Sequence, residues 1–302
     1  SSVQETVTVT SAAPTVDVRN SGVASDYGSD TIKSMPLARG SFLDIANIAP
    51  GVSKESGNLY TVAFGSDRFP NSFQFDGVDA SDVDTALARI QPMPDIFQEV
   101  QVLGLGAKSE YGGFLGSVVN MISKSGGNTF SGGVSLFEQP HSWTGNNAPA
   151  GNMPLTRAKY HDVSAQFGGP IKKDKIWFFA AYEMVKDGSS SFNVNPSYPT
   201  TTTTTKYFAK FSWAPSTKHE LWFSYHDERD DWPGGLSSTS TADTLNQRNL
   251  RYPTPSLHWR SIFNDKTVFQ AKYSGWYMRE NYVPLNGCYT CNQVYDGLTG
   301  MT

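Results

Sequence analysis

The second half of the chain alternates polar and apolar residues with a period of two. Such alternation is typical of β-strands that have one polar and one apolar face. In one segment Val163, Ala165 and Phe167 share a face, while the residues between them are polar or small. The pattern predicts seven strands, at residues 130–138, 159–167, 175–186, 206–213, 220–228, 251–263 and 267–280.

The connections between these strands alternate strictly between short and long. Residues 169–174, 215–218 and 264–266 are short connections, and those between them are long and polar. An up-and-down antiparallel membrane barrel has its short turns on one side and its long loops on the other. A secreted soluble β-sandwich would alternate too, but these strands have about 9–13 residues, whereas soluble strands usually have about 5–6.

Aromatic residues favour the membrane interpretation. All seven Trp residues follow residue 127. Four of them lie near the short turns, as in an interfacial aromatic girdle: Trp177, Trp213, Trp222 and Trp259. Known bacterial barrels have an even number of strands, about eight at least, and lipid tolerates no open sheet edge. We therefore expect the seven strands to belong to a longer protein.

The first 127 residues differ in composition from the rest. They carry a net charge of −6 and 10 of the 39 aromatic residues, whereas residues 128–302 carry +2 and the other 29. Short helices are predicted at residues 30–35 and 41–48, and strands at 72–78, 97–103 and 117–124. The predicted fold is mainly β, with a small mixed α+β domain at residues 1–127. Antiparallel up-and-down transmembrane β-barrel strands follow at residues 128–302 and form an incomplete barrel.

Chemistry-bearing motifs are few. The formal net charge of −4 argues against a nucleic-acid partner. Residues 104–109 lack the Gly that precedes Lys in a phosphate-binding loop. The five His residues are scattered, so we expect no enzyme activity and no cofactor. The acidic run from Asp76 to Asp84 lacks the spacing of a calcium-binding EF-hand loop, and we predict a solvated loop there and no metal site.

The two cysteines, Cys288 and Cys291, lie close together in a loop rich in Gly, Asn and Tyr. A zinc site would need a second ligand pair, which the sequence does not offer. A redox pair and a local disulfide are both compatible with the spacing. We favour a disulfide formed in an oxidising compartment.

An ordered set of motifs resembles the plug domain of TonB-dependent outer-membrane receptors, and in particular their Oar-like branch. Each motif is weak alone, but the order is specific, and the last of them leads directly into the first predicted barrel strand. The motifs are residues 5–10, residues 75–78 (Phe-Asp-Gly-Val), residues 99–102 (Glu-Val-Gln-Val), residues 110–113 (Glu-Tyr-Gly-Gly) and residues 116–126.

The resemblance implies an energy-coupled importer in the bacterial outer membrane. In this family the plug fills a barrel of about 22 strands. A TonB-type periplasmic energy-coupling protein pairs as a β-strand with an N-terminal box. Here that box would be Glu5, Thr6, Val7, Thr8, Val9 and Thr10.

The resemblance also places substrate at the outer face of the plug. Arg68 and Phe69 would lie in an apical plug loop, and Asp79 and Asp82 are further candidate substrate contacts. The substrate class stays open among siderophore, cobalamin, saccharide and peptide. The alternative function is that of a surface receptor that binds a ligand, and signals or supports secretion, without uptake.

Overall fold

The computed structural model describes residues 23–35, 41–54, 61–66, 71–82, 87–107, 111, 113–143, 157–189, 200–234 and 244–289. Most of these residues belong to a small mixed sheet that ends at Ser123 or to a large antiparallel sheet that begins at Ser131. No helix among the described residues is both long enough and apolar enough to cross a membrane.

The small sheet has the strand order β1-β6-β7-β4-β5. Strands β4 and β7 pair in parallel, and the other neighbours are antiparallel. The strands are β1 (Ala24–Gly28), β4 (Ser72–Phe75), β5 (Val78–Asp79), β6 (Phe97–Leu103) and β7 (Val118–Ser123). The structure confirms the predicted strands at β4, β6 and β7, whereas β1 was not predicted.

Short elements cover the small sheet. They are α1 (Ser29–Ser34), α2 (Leu43–Ala46), the hairpin β2 (Val52–Lys54) and β3 (Thr61–Ala63), and a 3-10 turn at Pro94–Ile96. The Phe42 ring, which is fully buried, meets the rings of Phe73 and Phe97 edge-on at 6.0 and 6.5 Å between centroids. Burial of these rings supplies much of the apolar stabilisation of this small domain.

The large sheet follows chain order, and each strand is antiparallel to its neighbour. Its strands are β8 (Ser131–Pro140), β9 (Arg157–Lys172), β10 (Ile176–Ser189), β11 (Thr201–Ser216), β12 (His219–Gly234), β13 (Asn246–Asn264), β14 (Thr267–Ser274) and β15 (Arg279–Pro284). They are mostly longer than predicted. Within the described residues the sheet is open, with β8 at one edge and β14 and β15 at the other.

The seventh predicted strand is interrupted. Strands β14 and β15 both pair with β13 and keep one register, from Ser256 opposite Ser274 to Arg251 opposite Arg279. Between these pairs β13 carries Pro253 and Pro255, which have no backbone N–H to donate. The ladder is therefore weakened there, although β13 still accepts a bond from the N–H of Tyr277.

The two faces of the large sheet differ as the alternation predicts. One face is exposed and apolar, and its residues include Phe167, Phe211, Trp213, Phe223, Leu257, Trp259, Phe269 and Tyr273. The other face packs against the small sheet and is largely polar, with buried residues that include Asp162, Ser164, Glu183, Lys206, Lys210, Ser224, His226, Glu228 and Ser256. A membrane barrel presents such an apolar face to lipid and such a polar face to its lumen.

The predicted Trp girdle is only half correct. Trp213 and Trp259 lie on the exposed apolar face. Trp222 instead points inward, where the Lys210 amine stands 4.3 Å from its ring centre. Trp177 alternates inward as well, and its indole N–H donates to Asn128 at 2.8 Å. Nearness to a turn in sequence does not decide the face, because successive residues of a strand point to opposite sides.

The segment between the two sheets is tied to the short-turn side. Asn128 Oδ1 accepts the backbone N–H of Asp174 at 2.9 Å, within the β9–β10 turn. A Cβ on Gly126 would stand 2.2 Å from the Phe178 carbonyl oxygen, so glycine permits the close approach. The division at residue 127 stays a prediction about domains.

We expect Phe223→Arg to destabilise the full-length protein by about 2–4 kcal/mol, since it puts a charge at mid-depth on the lipid-facing side. The same substitution at Asn249, on the same face but near the long loops, should cost about 0–1 kcal/mol. Urea unfolding in lipid vesicles measures both values. Equal costs at the two positions would contradict a lipid-facing surface.

Candidate functional site

A cavity of about 360 Å³ lies between the small sheet and the polar face of the large sheet, towards the long loops. One wall is formed by the segment from Leu87 to Gln91. The opposite wall comes from strands β10 to β13 and includes Thr204, Lys206, Glu228, Asp230, Trp232, Arg248 and Tyr252. The lining therefore combines charged, hydroxyl and aromatic side chains, which suits a polar ligand with ring or chain surface.

Buried charges in the wall of this cavity are paired. The Lys206 amine, only 4% exposed, lies 2.9 Å from Glu183 Oε2 on the neighbouring strand. Asp230 accepts a hydrogen bond from the Thr204 hydroxyl at 2.6 Å. Since an unpaired buried charge is costly, these pairs fix the polar face in its position.

Glu228 joins the wall to the small domain. Its carboxylate accepts the backbone N–H of Gln91 at 2.6 Å, across 137 residues of sequence. On the same side of the cavity Arg89 pairs with Asp82 at 2.5 Å. Asp82 is buried and Arg89 lines the cavity, so Asp82 positions Arg89 and does not itself face the cavity.

Of the other predicted contact residues, Asp79 does not line this cavity. Asp79 Oδ1 accepts the backbone N–H of Ser81 at 2.8 Å, an interaction within its own loop. Arg68 and Phe69 lie outside the described residues, as does the whole predicted box at residues 5–10. Their roles stay predictions.

A second junction between the two sheets centres on Asp76. This residue sits in the β4–β5 turn with a positive φ of 52°, followed by Gly77 at 75°. Its two carboxylate oxygens accept the N–H and the hydroxyl of Ser123 at 2.8 and 2.7 Å. The Lys210 amine of β11 donates to the same Ser123 hydroxyl at 2.9 Å and lies 3.7 Å from Asp76 Oδ2. The C-terminal ends of the parallel strands β4 and β7 thus meet the same lysine of the large sheet, Lys210.

Ring contacts flank this junction. Phe75 meets Phe208 of β11 edge-on at 6.0 Å and His226 of β12 at 6.2 Å. Neither ring nitrogen of the fully buried His226 has a hydrogen-bond partner among the described residues. Its contact with the small domain is therefore one of packing.

A third junction involves Lys124 and Asp95. The Lys124 amine donates to the Asp95 carbonyl at 2.6 Å and to Gln166 Oε1 of β9 at 3.2 Å. Asp95 also accepts the Ser164 hydroxyl of β9 at 2.5 Å. Burial lowers the pKa of the Lys124 amine, and the nearby charge of Lys33 adds to that effect, while Asp95 and Asp30 oppose it.

Sequence reasoning did not single out these junction residues. Lys206, Lys210 and Glu228 fall on the predicted polar strand face, but so do ordinary lumen residues. A charged residue on an otherwise hydroxyl-rich strand face is the signal that was available. The partners of Lys210 and Glu228 are 87 and 137 residues away in sequence, which alternation cannot reveal.

No group of three or more potential metal ligands comes together within the described part of the chain. Cys288 is disulfide-bonded. Cys291, its predicted partner, lies outside the described residues.

Comparisons with known proteins agree with this architecture. A family model described as an outer membrane beta barrel domain matches residues 122–205. The TonB-dependent transporter Oar of Myxococcus xanthus is 28% identical over 195 residues, which is 59% of this chain and 18% of that protein. The chain thus spans less than a fifth of the length of this curated relative.

Solved structures share the fold over most of the chain. The siderophore receptor PirA of Pseudomonas aeruginosa matches 86% of this chain and 41% of its own, at 16% identity and a TM-score of 0.62. The outer membrane transporter YddB of Escherichia coli matches 83% of this chain and 38% of its own, at 11% identity and a TM-score of 0.66. At these identities the matches speak for the fold.

We expect Lys210→Met to loosen the small domain on its wall. It removes a charged donor from Ser123 and Asp76, and the loss of such a bond costs about 1.5–3 kcal/mol. Amide hydrogen exchange in β4 and β7 should accelerate by about tenfold or more. Lys218→Met, at an exposed short turn, is the matched control. Unchanged exchange in β4 and β7 would show that Lys210 does not hold the domain.

Proposed function

We propose that this chain, part of a TonB-dependent receptor of the bacterial outer membrane, forms the plug and the adjoining barrel wall of an energy-coupled importer. Outer-membrane location and receptor fold follow from its relatives and architecture. Import of a bulky substrate, the energy source and the partners are our proposals for the whole protein.

The observation that carries the proposal is the nature of the contact between plug and wall. At Ser123, Gln91 and Lys124 the two are joined by hydrogen bonds to charged groups. Polar contacts can be exchanged for contacts with water at a modest net cost, about 1.5–3 kcal/mol for a hydrogen bond to a charged group. A shift of the plug would break these bonds together with ring contacts such as that of Phe75 with Phe208.

In the proposed mechanism a substrate enters from the long-loop side and binds in the cavity between Arg89 and the wall. A TonB-type periplasmic protein then pairs with residues 5–10 by strand addition, which gives main-chain hydrogen bonds and a mechanical handle. Pulling rearranges the plug and opens a path. Siderophore, cobalamin, saccharide and peptide all remain candidate substrates.

We expect Val7→Pro to abolish uptake while leaving surface binding intact, because proline removes a backbone donor from the pairing strand. Uptake of radiolabelled ferric siderophore, labelled cobalamin, and fluorescent oligosaccharide and peptide would be compared in cells that carry the full-length receptor. Val7→Ile, which keeps the donor and the β-branched side chain, is the control.

Two results would contradict coupling through this box. One is unchanged uptake in Val7→Pro cells. The other is binding of a probe without any uptake by the unaltered receptor, which would support a surface receptor in its place.

We expect Trp232→Ala to weaken binding of the probe that is taken up by about tenfold or more, since truncation of an aromatic residue at the centre of a binding site costs about 2 kcal/mol or more. Equilibrium binding to the purified receptor measures the loss. Trp143→Ala, which removes an exposed Trp at the end of β8, serves as the control. Equal effects of the two substitutions would move the binding site away from the cavity.

A further inference from the structure

Three arginines form a row on the outward face of the large sheet. Arg229 of β12 lies opposite Arg251 of β13, and Arg251 lies opposite Arg279 of β15. They share the face of Phe223 and Leu257, because residues an even number of positions apart on a strand point the same way. Neighbouring strands are about 4.8 Å apart, so the three arginine side chains leave the backbone within roughly 10 Å of one another.

The row stands where the apolar band of the wall ends. Arg229 lies ten residues beyond His219, the first residue of β12 after its short turn. With a rise of about 3.3 Å per residue and a tilt of about 40°, that distance corresponds to roughly 25 Å of height, the height of the apolar band of an outer-membrane barrel.

Tyrosines mark the same level. Tyr182 and Tyr207 are directly opposite each other one row below the arginines, with ring centroids 5.3 Å apart. Arg229 lies over the Tyr207 ring, 5.4 Å from its centroid. Tyr is enriched at membrane–water interfaces, so the arginines lie at the headgroup level of the outer leaflet.

The three arginines carry more positive charge than the neighbouring carboxylates neutralise. The Asp227 carboxylate, one row below, accepts bonds from Arg229 at 2.9 Å and from Arg251 at 2.8 Å. Arg279 forms no ion pair with another described residue. One row above, Asp231 and Lys186 also face outward and carry opposite charges. The single charge of Asp227 therefore leaves most of the charge of the three guanidinium groups uncompensated.

The Asp227 carboxylate also orients the row. Its side chain is 3% exposed, while those of Arg229 and Arg251 are 51% and 38% exposed. Asp227 holds the guanidinium groups of Arg229 and Arg251 from the side nearer the membrane centre. Both groups keep free N–H donors towards the membrane surface. A planar guanidinium binds phosphate oxygens through two parallel hydrogen bonds, which a flexible ammonium does not do.

We propose that Arg229, Arg251 and Arg279 bind the phosphate groups of a phosphorylated glycolipid in the outer leaflet. The outward face separates this site from the cavity between plug and wall, so it does not take part in substrate binding. A lipid held there would seal the wall where Pro253 and Pro255 weaken the strand ladder directly below the row.

The test uses the detergent-purified full-length receptor and native mass spectrometry. The probes are bisphosphorylated lipid A, the same lipid without its phosphates, and inorganic pyrophosphate. Replacement of all three arginines by glutamine should weaken binding of the bisphosphorylated lipid by at least about tenfold, since each basic residue near a membrane surface contributes about fivefold. The dephosphorylated lipid should bind weakly to both forms.

A matched control removes three positive charges from the opposite rim. The triple variant Lys173→Gln, Lys218→Gln and Lys266→Gln changes exposed residues of the short turns and should bind the lipid within about twofold of the unaltered receptor. If the arginine triple variant fails to assemble, Arg279→Gln alone replaces it, because Arg279 supports no ion pair among the described residues. A loss of about fivefold is expected there.

Several outcomes would overturn the proposal. Equal lipid binding by the arginine variants and the control would do so, as would equal binding of the dephosphorylated lipid. Pyrophosphate that binds as tightly as the lipid would mark a site for a free phosphate compound. A protein that copurifies with the receptor and is lost with the arginines, while lipid binding persists, would assign the row to a protein partner.

Discussion

A constant register through the central part of strands β10 to β13 is the constraint on which the rest of the structure depends. From β10 to β13 each strand pair keeps its alternation, which turns Lys206, Lys210 and His226 inward. A slip by one residue would turn these side chains to the lipid and bring Phe211 and Phe223 against the plug. A basic residue at mid-depth on the lipid face costs about 2–4 kcal/mol, so the membrane itself selects the register.

The same register explains how the small sheet is held against the large one. Its own interior is apolar, with Phe42, Ile45 and Val100 buried, and is stabilised by removal of that surface from water. The boundary with the wall is different, because hydrogen bonds to charged groups at Ser123, Gln91 and Lys124 accompany ring contacts such as that of Phe75 with Phe208. The boundary is therefore part polar and part apolar.

Buried ion pairs in the wall have a structural role of their own. Removing two charges from water is expensive, and replacement of one partner leaves the other uncompensated, at about 3–5 kcal/mol. Lys206 and Glu183 are on adjacent strands and meet only in the observed pairing. Such a pair contributes little net stability compared with apolar side chains, but it penalises every other register.

Alternation and turn chemistry were sufficient to predict most of this fold. The seventh predicted strand spanned the break between β14 and β15, whereas the other six and the division into a polar and an apolar face follow from local rules. The Asp76–Lys210 and Gln91–Glu228 contacts do not, because they join residues 134 and 137 positions apart whose meeting is set by how the two sheets pack. Trp177 and Trp222 point inward because of their odd or even position along the strand. Nearness to a turn gives no information about that position.

The position of β1 bears on how a pulled plug would yield. This strand is at the edge of the small sheet and pairs only with β6, over five residue pairs from Ala24 to Gly28. In the proposed mechanism, force applied through residues 5–10 would reach β1 before the other described strands, at the end where the Val23 N–H donates to Leu105. Ser123 is the last residue of β7, and Asp76 directly follows β4. In the proposed mechanism the contacts of these two residues with Lys210 are therefore not loaded until β1 has separated. In the proposed mechanism the edge strand is thus the first to yield, and the attachment to the wall is the last.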